Sequence, residues 1–443
     1  MTKIIDAVSI VITCGDEIFA IQRQNYLKAF PGYWAPPGGK VEKADEDFYI
    51  DHPKTQGLQK NLFGAAVREG MEELGIDLRE EIKSGRIDRV DFLGLAITPD
   101  FNPYRFATYF FRFHFNTKVP FIVDTNEAMQ SHWLTCRELT KCYEEGKILA
   151  VPPVIKVIQA LGNNPDLRSI PDLNFDYDSS RCVPFIENVK GIVQIMPQSH
   201  TLPPATRTNA FLIGGILLDP SPMSDEEYEK FRNTLSRFHF DKILLTHHHP
   251  DHHERSTRLA LESDVPILLS QDTFERLSKK IPGYFNKVKT IIVKEGDVVT
   301  NWLGHDVLVY EIPGHDEGQI ALASEDMSWF IAGDLFQGVG TVVIGGDEGD
   351  MRKYFATLEK VITLNPRVIF PSHGIGLGGV NHLQTTLDHR RVRENQVLTM
   401  FNEGMSVEQM LEEIYKGVDK NLWPYARLNI EKHLEKLKAE KRI

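Results

Sequence analysis

The stretch Lys242 to His253, KILLTHHHPDHH, constrains this chain more than any other. Its apolar run Ile243-Leu244-Leu245 reads as a short buried strand. The run ends at Thr246 in a burst of imidazoles around one carboxylate: His247, His249, Asp251 and His252, in the pattern HxHxDH. Neutral imidazole and carboxylate are borderline ligands that suit zinc, and a tight loop brings several of them to one point. A solvated His-rich loop would account for that stretch by itself. Three further apolar runs argue otherwise, because each ends the same way: VLVYEIPGH at His315, SWFIAGD at Asp334 and RVIFPSH at His373. Four strands delivering ligands from their carboxyl ends would line these side chains along one edge of a sheet, where open α/β sheets carry their sites. The expectation is a metal centre.

The order HxHxDH, then His, Asp and His, resembles the metallo-β-lactamase fold in its two-metal hydrolase form, an αββα sandwich. The resemblance implies one metal on His247, His249 and His315, a second on Asp251, His252 and His373, and Asp334 bridging them. It implies two Zn²⁺ or other transition-metal ions and hydrolysis through a metal-bound hydroxide, with Asp251 and Asp334 in the catalytic set. His248 and His253 fall outside the pattern and read as second-layer or solvated residues. NAFLIGGILLDP, Asn209 to Pro220, is similar to the paired strands that open this fold.

The amino-terminal part carries a different pattern. DAVSIVIT and IFAIQR read as strands joined by a turn at Gly15-Asp16-Glu17, and FPGYWAPPGGKVE as a shaped loop. NLFGAAVREGMEELGI has helical spacing, with Gly75 where a helix end favours a left-handed residue. Glu69, Glu72 and Glu73 stand at i, i+3 and i+4, so three carboxylates share one face. Oxygen-only ligands suit a hard cation such as Mg²⁺ or Mn²⁺; by spacing alone, a solvated acidic face is the commoner outcome.

GGKVE followed by REGMEELGI resembles the Nudix signature, matching at Gly39, Arg68, Glu69, Glu72, Glu73 and Gly75. The resemblance implies an α/β/α sandwich and a pyrophosphohydrolase site for a nucleoside-diphosphate-linked compound. Glu69 would be catalytic, and Arg68 would fix it by an ion pair. Three departures stand out. The acidic residue due six after Gly39 is Asp45; the arginine arrives 15 residues late; and Gly70 replaces a hydrophobic residue. The inserted polar stretch DFYIDHPKTQGLQKN is expected to loop out and to alter substrate access.

The chain divides into a Nudix-like domain over 1–161, a linker over 162–185 rich in Asn, Asp, Pro and Ser, a metallo-β-lactamase-fold domain over 186–380 and a helical tail over 381–443. In the tail, Ser406 and Gln409 form a capping box. Its wording resembles the winged-helix tail of the metallo-β-lactamase branch that includes a mitochondrial endoribonuclease and fungal thioesterases. The whole is a multidomain α/β protein.

A winged helix invites a nucleic-acid reading. From Asp388 onward, however, 11 Lys/Arg meet 10 Asp/Glu, and the whole chain has a net charge of −12. That is no electrostatic footprint for RNA, although RNA stays open as a partner. The four cysteines match no zinc or disulfide framework, and no stretch suits a signal peptide or membrane span. The expectation is a cytoplasmic protein without a membrane partner, of open oligomeric state.

Both signatures imply hydrolysis of small molecules. The expected function is a bifunctional metal-dependent hydrolase, a Nudix pyrophosphohydrolase joined to a dinuclear-metal esterase or thioesterase, with acyl-coenzyme A as one compound holding both bonds. Two alternatives remain: an endoribonuclease in the larger domain, or a Nudix domain that senses a nucleotide or coenzyme without cleaving it.

Overall fold

The computed structural model describes residues 3–102, 104–174 and 177–443. They form two compact units. The first comprises 1–177 with 186–190, and the second 178–185 with 191–443.

The first unit begins with strands Ile5–Cys14 (β1), Glu17–Arg23 (β2) and Trp34–Ala35 (β3), then helices Lys60–Leu74 (α1) and Leu78–Lys83 (α2). Strands Ile87–Ile97 (β4), Phe106–Phe115 (β5) and Ala128–Thr135 (β6) follow, then helices Cys136–Glu144 (α3) and Pro152–Asn163 (α4). The sheet runs β3-β2-β1-β5-β4, with β6 on the other side of β2. β1 is apolar almost throughout because helices cover both of its faces. Val8, Ile10 and Ile12 meet α1 through Phe63 and Val67, whereas Val11 packs with Leu139, Val154 and Ile158 of α3 and α4. The result is an α/β/α sandwich.

Two stretches depart from their composition. The insertion expected to loop out is folded down: Phe48, Tyr49, Ile50 and Leu58 pack on the α1 core, and Thr55 is fully buried with its hydroxyl donating to Ile50 O. Its polar residues thus satisfy the segment's own backbone. The stretch read as linker also packs on this unit. Ile170 and Leu173 enter the α3/α4 core, and the buried Arg112 guanidinium donates to Pro165 O. Residues 175 and 176 of that stretch lie outside the described residues. Asn188, in strand Phe185–Val189 (β7), donates to the Tyr33 hydroxyl.

The second unit opens with strands Ile192–Ile195 (β8), Ala210–Ile213 (β9) and Ile216–Leu218 (β10) and helix Asp225–Leu235 (α5). Lys242–Leu244 (β11), helices Pro250–His253 (α6) and Ser256–Ser263 (α7), strand Ile267–Leu269 (β12), helix Gln271–Lys280 (α8) and strand Thr290–Ile292 (β13) come next. They build a sheet ordered β13-β12-β11-β10-β9-β8. The chain then forms Val298–Trp302 (β14), His305–Glu311 (β15), Ile320–Ser324 (β16), Phe330–Ile331 (β17), helix Met351–Leu364 (α9), Val368–Phe370 (β18) and Leu377–Gly378 (β19). These strands pair in sequence order, β14 through β19.

Tyr228, Phe231, Leu259 and Leu277 of α5, α7 and α8 cover the first sheet; Tyr354 and Leu358 of α9 cover the second. Phe211 and Phe370 meet edge to face between the sheets, at 5.6 Å. This is the αββα sandwich. The β9–β10 turn needs glycine: Gly214 has φ +52°, and a Cβ there would lie 2.1 Å from Asn301 O.

The ligand-bearing runs do not share one sheet edge. β11 lies in the first sheet, whereas β15, β17 and β18 lie in the second. Apolar runs in a two-sheet sandwich look alike whichever sheet they join, so the sequence could not separate them. β15 and β17 both run antiparallel to β16, and β18 runs parallel to β17, so these three strands end on the same side.

The tail is helical: Asn381–Asn402 (α10), Val407–Ile414 (α11) and Trp423–Ala439 (α12), around Val397, Met410, Ile430 and Leu437. The Ser406–Gln409 capping box forms as the sequence indicates. α10 alone runs 22 residues. Among the described residues no helix is long and apolar enough to cross a membrane.

Candidate functional site

The loop after β11 turns at Thr246, whose carbonyl accepts the Ile320 N–H of the second sheet. That bond sets the His-rich loop against the ends of β15, β17 and β18. His247, His249 and His315 bring ligand atoms within 4.8 Å of one another, as do Asp251, His252 and His373. A third such group, His247, His252 and Asp334, links the two. Asp334 Oδ1 lies 3.7 Å from His252 Nε2 and 3.4 Å from His373 Nε2, while Oδ2 lies 3.6 Å from His315 Nε2.

Each of the five imidazoles is fixed through its other nitrogen. His247 Nδ1 meets Thr246 Oγ1 at 3.0 Å, His252 Nδ1 meets Asp219 Oδ2 at 2.8 Å, and His249 Nε2 faces Glu348 Oε1 at 3.4 Å. His315 Nδ1 and His373 Nδ1 donate to the carbonyls of Val343 and Arg207, both at 2.8 Å. Asp219 is itself held by the Thr246 N–H and hydroxyl. Such outer partners orient metal-binding histidines and fix their tautomer.

The facing atoms fit a metal by their chemistry. His252 Nε2 and Asp334 Oδ1 are buried without a hydrogen-bond partner. Burial and the neighbouring imidazoles of His252, His249 and His315 push His247 well below the ordinary histidine range. Burial, followed by His249, pushes His315 down to about 4. Burial opposes ionisation of Asp334, but His373 and His252 override it and hold that carboxyl well below its usual value. Burial likewise opposes charge on His252 and His373, but Asp251, Asp334 and Asp219 raise His252 well above the ordinary histidine range, and Asp334 and Asp251 raise His373. Imidazoles gathered around an ionised carboxylate are the donor set of a transition-metal centre, which would take the place of those protons.

His248 and His253 are buried rather than solvated, and His248 brings a ligand atom within 4.8 Å of ligand atoms of His249 and Glu348. His248 Nδ1 pairs with Asp316 and its Nε2 meets Lys280 Nζ at 2.8 Å; His253 Nδ1 meets the Tyr284 hydroxyl at 3.0 Å. Sequence reasoning missed Asp219, Asp316, Glu348 and Lys280. Only Asp219 left a signal, as a carboxylate ending the apolar run GGILLDP.

In the first unit, Glu69, Glu72 and Glu73 sit on α1 beside the Gly38-Gly39 turn. The Gly38 N–H donates to Glu73 Oε2 at 3.0 Å. A Cβ on Gly39 would lie 2.2 Å from Glu69 Oε1, so only glycine leaves room for that carboxylate. Arg68 spans the site. It bonds Asp45 Oδ1 at 2.7 Å, Glu69 Oε1 and Glu72 Oε2 at 2.8 Å each, and Lys40 O at 2.7 Å. Asp45 is fully buried and also accepts the Glu42 N–H. Gly70 lies where an added Cβ would be 3.3 Å from Ile76 O and from Leu78, which accounts for its small size.

Burial raises the Glu69 carboxyl and pushes Glu73 up to about 8, despite the Gly38 N–H. The all-oxygen donor set fits a hard cation. Still, its carboxylates do not converge as the histidines do. Among the described residues, triplets of ligand atoms within 4.8 Å occur only around His247–His253 and their partners.

Fold and site together define a divalent-metal-dependent hydrolase with Nudix, metallo-β-lactamase-fold and winged-helix domains in that order. The family models matched are the NUDIX domain over residues 3–151, the metallo-beta-lactamase superfamily over 203–373 and the beta-lactamase associated winged helix domain over 406–443. Among curated relatives, a beta-lactamase-like protein 2 homolog of Drosophila melanogaster is 29% identical over 256 residues, covering 53% of this chain and 84% of the relative. An atrochrysone carboxyl ACP thioesterase of Aspergillus fumigatus is 26% identical over 240 residues, covering 52% and 68%. A beta-lactamase domain protein from Burkholderia ambifaria shares the fold, with a TM-score of 0.50 at 19% identity over 60% of this chain and 90% of that one.

Proposed function

We propose that the protein is a hydrolase with two active sites, the second unit cleaving an ester or thioester and the first a diphosphate linkage. The observation that carries the first half is the set of five imidazoles, each tied by one nitrogen and presenting the other to a common point. In this reading His247, His249 and His315 would hold one transition-metal ion, zinc by donor type, and Asp251, His252 and His373 a second, with Asp334 between them. Such an ion pair supplies Lewis acidity and activates water at neutral pH.

The chain's own residues do the rest. Asp219 anchors His252, Thr246 ties that anchor to His247, and Asp251 and Asp334 give the centre its negative charge. The similarity to the Aspergillus thioesterase favours a thioester over a phosphodiester. In the first unit Glu69, Glu72 and Glu73 would hold Mg²⁺ or Mn²⁺ against a diphosphate. The raised Glu73 carboxyl and the Arg68-held Glu69 are its candidates for moving a proton.

The test is a panel of acyl thioesters, short RNA and diphosphate-linked nucleotides. Each is incubated with wild type, His252→Ala and Glu73→Gln. Thioester cleavage lost only in the first variant, and diphosphate cleavage lost only in the second, is the expected result. RNA cleavage without thiol release would overturn the thioester half. A wild type that leaves every diphosphate intact would favour a first unit that binds without cleaving.

A further inference from the structure

The metal centre is closed on most sides and open on one. Side-chain exposure is 0% for His252, 1% for His373, 7% for Asp334 and 8% for His315, but 25% for His249 and 14% for Asp251. Glu348, facing His249 Nε2, is 18% exposed. His249 is the most exposed of these side chains, so a substrate would meet the centre first on that side.

Lys280, in the last turn of α8, stands there. Its Nζ meets His248 Nε2 at 2.8 Å, and His248, His249 and Glu348 bring ligand atoms within 4.8 Å of one another. His248 is wholly buried, and its Nδ1 pairs with the equally buried Asp316. An ammonium has no acceptor capacity, so it donates to Nε2; the ring proton then sits on Nδ1 and is donated to Asp316. A buried carboxylate and imidazole thus hold an exposed cation in one place.

A lysine in a final helical turn also favours the helix dipole, which is the plain explanation. Lys279 serves that purpose equally, and Lys280 differs by having a buried acceptor. One turn earlier, Arg276 is engaged by Asp272. Glu348 Oε1 lies 3.9 Å from His248 Nε2, so its charge partly offsets that of Lys280.

We propose that Lys280 anchors a negatively charged group of the substrate, a phosphate monoester, at the open side of the metal centre, with Asp316 and His248 as positioning residues. The proposal rests on the thioesterase reading of that centre. An ammonium serves as a point-charge donor to phosphate, and the buried pair spares it the freedom an exposed lysine otherwise loses on binding.

The test uses acetyl-phosphopantetheine and acetyl-pantetheine, thioesters that differ only in the terminal phosphate, with holoenzyme. Wild type should prefer the phosphorylated substrate in kcat/KM. K280M should lower that preference about tenfold, mainly through KM, and K279M should leave it intact. H248Q should give an intermediate loss, because Lys280 stays but is no longer held. An unchanged preference in K280M, or none in wild type, overturns the anchor and leaves Lys280 as a counterion to Glu348. Equilibrium binding of phosphopantetheine separates this from failure of the thioesterase reading. If wild type hydrolyses neither thioester, that reading falls; binding about tenfold weaker in K280M still supports the anchor, and equal or absent binding overturns it.

Discussion

As proposed, the two candidate sites would solve the same problem, holding divalent cations, in opposite ways. Around His252 the fold fixes each imidazole from behind, and the candidate ligand atoms already converge. On α1 the carboxylates are held by a resident cation, Arg68, and by a backbone N–H, and they stay apart. The difference follows from the ligands. Imidazoles can shed their protons and crowd together at modest electrostatic cost, whereas carboxylates repel and need a positive partner until an ion arrives. In this reading the histidine site is arranged before its ions bind, and the carboxylate site would rearrange around one.

The sharpest test of this contrast is selective inactivation. His252→Ala should reduce hydrolysis by the second unit at least about 10³-fold, because it removes a metal ligand. Glu73→Gln should do the same to diphosphate cleavage. Assaying each variant on both substrates would reveal cross-talk, and loss of both activities in a folded variant would end the idea of independent sites.

Arg68→Met comes next. It strips the partner from the fully buried Asp45, so the first unit should lose about 3 kcal/mol of stability, read by denaturant unfolding. A loss under 1 kcal/mol would show that Arg68 does not organise that site. For the histidine site, Asp219→Ala should weaken metal binding about 10- to 100-fold in chelator competition, with the fold retained. Unaltered affinity would mean that the imidazoles need no support from behind.

The smallest effect is a pH dependence of the first unit in EDTA. Glu73 has its carboxyl raised to about 8 by burial, so the folded state holds that proton more tightly than the unfolded one. The stability it contributes is complete below about pH 4.5 and is lost as pH rises through 8. Glu73→Gln should therefore match wild type near pH 5 and exceed it by about 1–2 kcal/mol near pH 9. Added Mg²⁺ should shrink the gap.

The residues that sequence made legible are those that end apolar runs. His247, Asp334 and His373 each follow a buried strand and His315 a half-buried one, so pattern and chemistry announce themselves together. Glu348 and Lys280 carry no such mark. One sits in the Gly-rich run IGGDEGD and the other among the lysines of an amphipathic helix, and only tertiary contact places them beside His248. The insertion after Asp45 misled for the converse reason. Its polar composition suggested solvent, but Thr55 and its neighbours bond to their own backbone beneath apolar side chains.

The origin of the histidine-site ligands also bears on stability. Four of the seven side chains leave the first sheet of the sandwich and three leave the second, so ions bound as proposed would stitch its two halves together. Binding energy spent there becomes resistance to prying the sheets apart. Calorimetry should show it as a fall in the unfolding temperature of the second unit on chelation, with the transition of the first unit unmoved. In such a protein the cofactor is a rivet as well as a reagent, and the edge-to-face pair Phe211 and Phe370 marks the seam it closes.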